Sequence, residues 1–232
     1  MLREWDDLPE YMKHDKIKEY YDILAKHKFS LEIKRVFDLI LAVILLDICA
    51  IPMLVIAVLI VADSKGGVFY TQERITVYGK KFKIHKFRTM VENADKIGTS
   101  VTVSRDNRIT RVGGFLRKYR LDELPQLFDI IAGNMSFVGT RPEVVKYVKK
   151  YTPEMRATLL LPAGITSEAS IRYKDEADML ENADDVDEVY IRQVLPEKMK
   201  YNLQAVRDFS VMRDVVTMFR TIFVVFGKSN NK

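Results

Sequence analysis

One stretch dominates what this chain can become. Leu39–Ala62 is an apolar run of 24 residues, interrupted only by Asp47 and Pro52. At about 1.5 Å per residue a helix of that length reaches roughly 36 Å, more than the ~30 Å hydrocarbon core of a bilayer. Three features argue against a simple crossing. Pro52 lacks the N–H that a helix interior needs, so it breaks or kinks the run. Asp47 puts a carboxylate in mid-segment, which is costly in hydrocarbon unless it is paired or near water. Cations flank both sides: Lys26, Lys28, Lys34 and Arg35 before, and Lys65, Arg74, Lys80, Lys81 and Lys83 after. A crossing helix wants its basic flank on one side. The pattern predicts a re-entrant helix-break-helix with both ends on one face. A kinked transmembrane helix is the alternative. A soluble core helix fits less well, because the run lacks a polar face. The run starts far from Met1 and no small-residue cleavage pattern follows it, so it does not read as a signal peptide.

The remaining composition narrows the class. A chain of 232 residues with 48% hydrophobic content and a mean hydropathy of -0.08 is neither a disordered chain nor a polytopic membrane protein. Cys49 is the only cysteine, which excludes a disulfide framework. With His14, His27 and His85 as the only histidines, a thiolate or imidazole zinc site is not expected. The net charge of +5 is unevenly spread: Lys65–Arg120 holds 14 basic and 4 acidic residues, whereas Lys174–Glu188 holds eight acids and one base. A basic half beside an apolar segment points to anionic partners. Nucleic acid is disfavoured, because the aromatics are not interleaved with the bases as stacking platforms.

The chain reads as α+β and mainly helical. Residues 1–32 form a helical extension with an apolar stripe at Ile17, Tyr20, Tyr21 and Leu24. The re-entrant segment is 33–63, a cytosolic domain follows over 64–204, and 205–228 is an amphipathic helix. Within the domain, Val68–Tyr70 and Lys81–Ile84 read as short strands joined by a turn at Val77–Lys80. Helices are expected over Phe115–Tyr119, Pro125–Ile131, Pro142–Tyr151, Pro153–Leu161 and Tyr190–Tyr201. Asp178–Asp187 reads as a solvated acidic loop. Near the C-terminus, Phe209, Met212, Val216, Phe219, Phe223 and Phe226 recur at spacings of three and four, among Arg207, Arg213, Arg220 and Lys228. That stripe lies either in a membrane interface or against the core.

Three clusters could carry chemistry. In Arg117-Lys118-Tyr119-Arg120-Leu121-Asp122-Glu123-Leu124-Pro125-Gln126, two adjacent carboxylates precede a Pro-started helix. They could simply cap that helix. Alternatively, one attacks and the other holds a hard divalent cation, Mg²⁺ most naturally, together with substrate phosphate. Gly133–Pro142 is a Gly-rich loop that presents the Arg141 guanidinium. Lys81–Met90 is a basic strand suited to phosphate or lipid headgroups, or merely to solvent.

The order of motifs is specific. Lys34-Arg35-Val36-Phe37-Asp38 leads into the apolar run with Pro52. Phe69-Tyr70-Thr71-Gln72-Glu73-Arg74, Phe82–Met90, Leu121–Gln126 and Met135–Pro142 follow. This combination resembles the monotopic phosphoglycosyl transferases, bacterial sugar transferases that start capsule, exopolysaccharide and O-antigen assembly. The resemblance covers about residues 33–228. It implies transfer of a sugar-1-phosphate from a UDP-sugar to undecaprenyl phosphate, with Mg²⁺, at the cytoplasmic face of the bacterial inner membrane. Asp122 would be the nucleophile, Glu123 the Mg²⁺ ligand, and Lys86, Arg117 and Arg141 phosphate binders. Pro52 would mark the re-entrant break, with Lys34 and Arg35 near phospholipid headgroups. Thr140 stands where the family has Pro. Pro162-Ala163-Gly164-Ile165-Thr166-Ser167 lacks the family's Arg, and Glu168–Lys174 departs as well, so the resemblance leaves the donor sugar unassigned. It also leaves a homodimer open. A non-catalytic membrane-surface scaffold is the alternative function.

Overall fold

The computed structural model describes residues 2–94, 106–174, 176, 180 and 185–226. Most of the expected acidic loop, Asp178–Asp187, and Lys228 lie outside the described residues. After two short 3-10 turns come α1 (Asp15–Ala25) and α2 (Lys28–Asp63). An antiparallel hairpin pairs β1 (Phe69–Ile75) with β2 (Lys81–Phe87), in register from Phe69↔Phe87 to Ile75↔Lys81. Both strands run longer than the apolar signal alone suggested, because their central residues are polar on one face. The turn falls where expected, with Tyr78 left-handed at φ 55°.

Next come α3 (Arg111–Lys118), a 3-10 turn over Leu121–Glu123, α4 (Gln126–Ile131) and β3 (Met135–Val138). The expected helix over Pro142–Tyr151 shrinks to α5 (Val145–Val148), and Pro153–Leu161 is a 3-10 turn over Met155–Leu160. Strand β4 (Ala163–Thr166) pairs in parallel with β3, and α6 (Glu168–Arg172) follows. Helix α7 (Val186–Val189) continues through a π-turn at Tyr190–Val194 into α8 (Leu195–Arg207), and α9 (Val211–Phe226) ends the described chain.

Three apolar clusters hold these pieces together. The N-terminal stripe supplies Ile17, Tyr20, Tyr21 and Leu24 to the largest, which also buries Leu160, Leu195, Met199 and Val206. Each such side chain contributes roughly 1.5–3 kcal/mol. The second joins Phe82 and Ile84 to Leu127, Ile130, Met135 and Ala42, and the third joins Met53, Ile56 and Ile60 to Phe87 and Leu116.

Helix α2 is continuous. Its 36 residues contain Pro52, so the expected break there is not a break in the helix; only the bond that the missing N–H would have made is lost. Leu31, Lys34, Asp38, Ala42, Met53, Ile56 and Ile60 are its buried face. Ile40, Ile44, Ile48, Ile51, Val55 and Val58 are exposed. Both ends are tied to the same folded body. Near the start, Arg35 donates to the carbonyls of Ile130 (2.7 Å) and Ile131 (3.3 Å) at the C-terminal end of α4. At the far end, Arg88 donates to the carbonyls of Ser64 (2.8 Å), Gly67 (2.6 Å) and Lys65, and Val112 N donates to Asp63 (2.9 Å).

Lys34 corrects the headgroup expectation. It is 3% exposed, and its Nζ lies 2.6 Å from Asp214 on α9 and 3.7 Å from Asp38. Ser136 on β3 closes the cluster by donating to Asp38 at 2.7 Å. Arg35 is half-buried and sits at the negative end of the α4 dipole. On α9, Phe209 is buried at the preceding bend, whereas Met212, Val216, Phe219 and Phe223 are exposed. Between Met212 and Phe223 the stripe therefore does not pack on the core.

Candidate active site

Asp122 and Glu123 sit in the 3-10 turn between α3 and α4. The chain enters that turn through Arg120, which adopts a left-handed conformation at φ 56°, a cost that a non-glycine residue bears only where its surroundings enforce it. The reversal turns the two carboxylates inward: Asp122 is 7% and Glu123 6% exposed. The residues at the starts of the turn and of α4 are Arg120 and Pro125, and neither makes a side-chain capping bond.

Three cations converge on Glu123, two of them from other parts of the chain. Lys86 of β2 donates to its Oε1 at 3.0 Å, Arg141 at 2.7 Å, and Arg120 Nη1 stands 3.9 Å away. Burial opposes its charge, but Arg141, Lys86 and Arg120 outweigh burial and hold the carboxyl well below the ordinary range. Asp122 shows the opposite balance. Burial pushes its carboxyl up, Lys86 pulls it down, and the neighbouring Glu123 charge pushes it up again. Its Oδ1 is buried without a hydrogen-bond partner. Arg117, whose Nε donates to Thr89 at 3.0 Å, supports the Asp122 anion, and burial holds its own value down. The five residues expected at a phosphate site, Lys86, Arg117, Asp122, Glu123 and Arg141, are thus electrostatically coupled in one place.

Arg141 is aimed by backbone. Gly139, just beyond β3, touches Gly164 near the start of β4. A Cβ on Gly164 would stand 2.1 Å from Gly139 N, and one on Gly139 would stand 2.6 Å from the Pro162 carbonyl. Gly139 N donates to Thr166 O (3.0 Å) and Gly164 N to Thr140 O (2.9 Å). The segment Pro162–Ser167 therefore forms the strand that fixes the Arg141 loop. Further on, Arg74 donates to the Pro142 carbonyl (3.1 Å), and Glu143 accepts from Ile75 N (3.0 Å) and Tyr190 OH (2.5 Å). Lys198 Nζ bonds Tyr190 OH at 3.1 Å and Glu176 at 2.7 Å. Arg74 was visible as a motif residue; Tyr190 and Lys198 carry no sequence signal of this kind, since they come from a helix far along the chain.

The basic strand is less free than its composition implied. Lys81 pairs with Glu73 at 2.9 Å, and His85 Nδ1 lies 2.8 Å from the buried Asp129, which also accepts the His85 backbone N–H at 2.9 Å. As for a metal, no group of three or more His, Cys, Asp or Glu side chains forms a cage among the described residues. Two adjacent carboxylates, one with an unpartnered oxygen, nevertheless suit Mg²⁺, which takes one or two carboxylates and completes its shell with water and substrate phosphate.

Buried carboxylates ringed by cations thus share one folded body with a long helix whose apolar face is exposed. Residues 29–228 match the bacterial sugar transferase family, and the chain belongs to that family. It is 34% identical over 193 residues to a UDP-N-acetylgalactosamine-undecaprenyl-phosphate N-acetylgalactosaminephosphotransferase of Aeromonas hydrophila, covering 82% of this chain and 43% of that protein. It is 34% identical over 199 residues to the UDP-glucose:undecaprenyl-phosphate glucose-1-phosphate transferase of Escherichia coli (strain K12), covering 84% and 40%. With the exopolysaccharide production protein ExoY of Sinorhizobium fredii it shares 32% identity over 205 residues, covering 82% and 83%. The chain thus spans less than half the length of the first two relatives and most of the third.

Proposed function

We propose that the chain transfers a sugar-1-phosphate from a UDP-sugar to undecaprenyl phosphate, a first membrane step of capsule, exopolysaccharide or O-antigen assembly. The observation that carries this reading is the contrast within the pair: cations meet Glu123 at its Oε1, while Asp122 keeps a buried oxygen without a partner. An Asp122 oxygen attacks the sugar-linked phosphorus of the donor. The bond from that phosphorus to UMP breaks, UMP leaves with the electron pair, and a phosphosugar remains on the carboxylate. A phosphate oxygen of the acceptor then attacks the same phosphorus and releases Asp122. Lys86, Arg117 and Arg141 bind phosphate oxygens, so positioning and charge neutralisation supply most of the catalysis. Glu123 is the residue that would hold Mg²⁺, whose charge, when bound, offsets that of the donor diphosphate.

The same reading seats the molecule on the cytoplasmic face of the inner membrane without crossing it. Its support is that both ends of α2 bond to one body, while the outer face of α2 and the stripe on α9 are apolar and exposed. Met218 of α9 packs against the same apolar cluster as Leu41 and Leu45 of α2.

With UDP-glucose, UDP-galactose or UDP-N-acetylgalactosamine plus Mg²⁺ and no acceptor, the purified chain should release one UMP per active site. Mass spectrometry should then find a hexose phosphate on Asp122. Continuous turnover without a bound sugar phosphate would rule out the covalent step. Lys28→Cys and Lys65→Cys, in a Cys49→Ser background, should be labelled from the same side of a sealed vesicle; labelling from opposite sides would establish a crossing helix.

A further inference from the structure

Gln126 opens α4 and is 1% exposed, yet neither its Nε2 nor its Oε1 has a hydrogen-bond partner. Buried polar side-chain atoms almost always find partners, because an unpartnered one keeps its desolvation penalty. Here both ends of one amide are left open. The neighbouring orphan is Asp122 Oδ1. The backbone stays helical between them. Leu124 and Pro125 have right-handed helical angles, Leu124 N donates to Leu121 O, and Leu127 N donates to Leu124 O. Gln126 therefore stands three residues beyond Glu123 and four beyond Asp122, on the side of the helix that carries the carboxylate pair. Packing does not call for an amide at this position. The next residues, Leu127 and Ile130, bury into the Phe82–Ile84 cluster, and an apolar side chain at 126 would bury as readily.

An amide open at both ends suits a ligand that presents an acceptor and a donor close together. An ionised phosphate alone offers acceptors. A hexose-1-phosphate offers both: phosphoryl oxygens at C1, and a hydroxyl or acetamido N–H on the adjacent C2. We propose that Gln126 binds the phosphosugar at Asp122, with Nε2 donating to a phosphoryl oxygen and Oε1 accepting from the C2 substituent. This rests on the covalent reading of Asp122 and adds a substrate-binding residue to it.

Gln126→Leu and Gln126→Met test the assignment with two readouts on the full chain: melting temperature without nucleotide, and the rate of the UMP burst. Loss of an amide that bonds only substrate should leave the melting temperature unchanged or raised. It should slow the burst by about tenfold or more. The C2-deoxy analogue of the donor that is turned over should react more slowly with the wild-type chain, and that penalty should vanish in the variants. A melting temperature lowered by several degrees in both variants would mean that the amide is bonded within the fold or to a buried water, and would overturn the proposal. A burst at the wild-type rate, or an undiminished C2-deoxy penalty, would overturn it too. If the wild-type chain gave no burst with any of the three donors named above, the covalent reading itself would fall and take this inference with it.

Discussion

Two clusters of buried charge in this molecule are built on opposite plans. Around Asp122 and Glu123, four cations (Lys86, Arg117, Arg120 and Arg141) act on two carboxylates, and one carboxylate oxygen is left open. Between α2, β3 and α9, a single cation, Lys34, serves two carboxylates, Asp38 and Asp214, and the Ser136 hydroxyl completes Asp38. The second cluster finds its partners inside the protein and fastens one element to another. The first sets four cations against its two carboxylates, an imbalance that suits an anionic substrate. Burial and ion pairing alone do not separate a structural cluster from a functional one; the sign of the imbalance does.

Substitutions should break the two clusters differently. Asp122→Asn should cut the UMP burst about ten-thousandfold or more, since it removes the proposed nucleophile. It should leave the melting temperature level or raised, because burial already disfavours that charge. Lys34→Met leaves Asp38 and Asp214 buried together without a cation. It should cost about 3–5 kcal/mol of stability by denaturant unfolding, while the burst per folded molecule stays near wild type. An equal fall in both quantities would merge the two clusters into one functional unit. Arg141→Lys keeps the charge but loses the planar fork that meets Glu123 at 2.7 Å. A burst slowed by about a hundredfold is expected, with little change in melting temperature.

Much of this was legible in the sequence, and the failures have physical causes. The Asp122–Glu123 pair, Lys86, Arg117 and Arg141 were all readable because they stand in compact local motifs. The exposed α9 stripe was readable because its spacing of three and four fixes a helix face. Pro52 misled, because a proline removes one bond but need not end a helix whose buried stripe continues on either side of it. Lys34 misled because a lysine near an apolar run has two ways to keep its charge, a headgroup or a buried carboxylate. The deciding partner, Asp214, lies 180 positions away in sequence. The parallel pairing of β3 with β4 was invisible for the same reason: four-residue strands with a long connection leave no periodic trace.

The smallest expected effect probes the structural cluster through its own imbalance. Burial pushes the Asp214 carboxyl up, Lys34 pulls it down, and Asp38 pushes it up again, for a net rise. A carboxyl with a higher pKa in the folded state than in the unfolded state holds its proton more tightly when folded. Its ionised form therefore costs stability above that raised pKa, and the cost fades as pH falls through it. Asp214→Asn removes the titration and leaves Lys34 paired with Asp38 alone. The variant should match or exceed the wild type near neutral pH, and the gap should close as the solution is acidified. Melting curves for both chains over that pH range measure the gap directly. A variant less stable at neutral pH, whose deficit shrinks on acidification, would show instead that the Asp214 anion is a net stabiliser of the contact between α2 and α9. Asp122 would then be a carboxylate that the fold bears at a cost, and Asp214 one from which it gains.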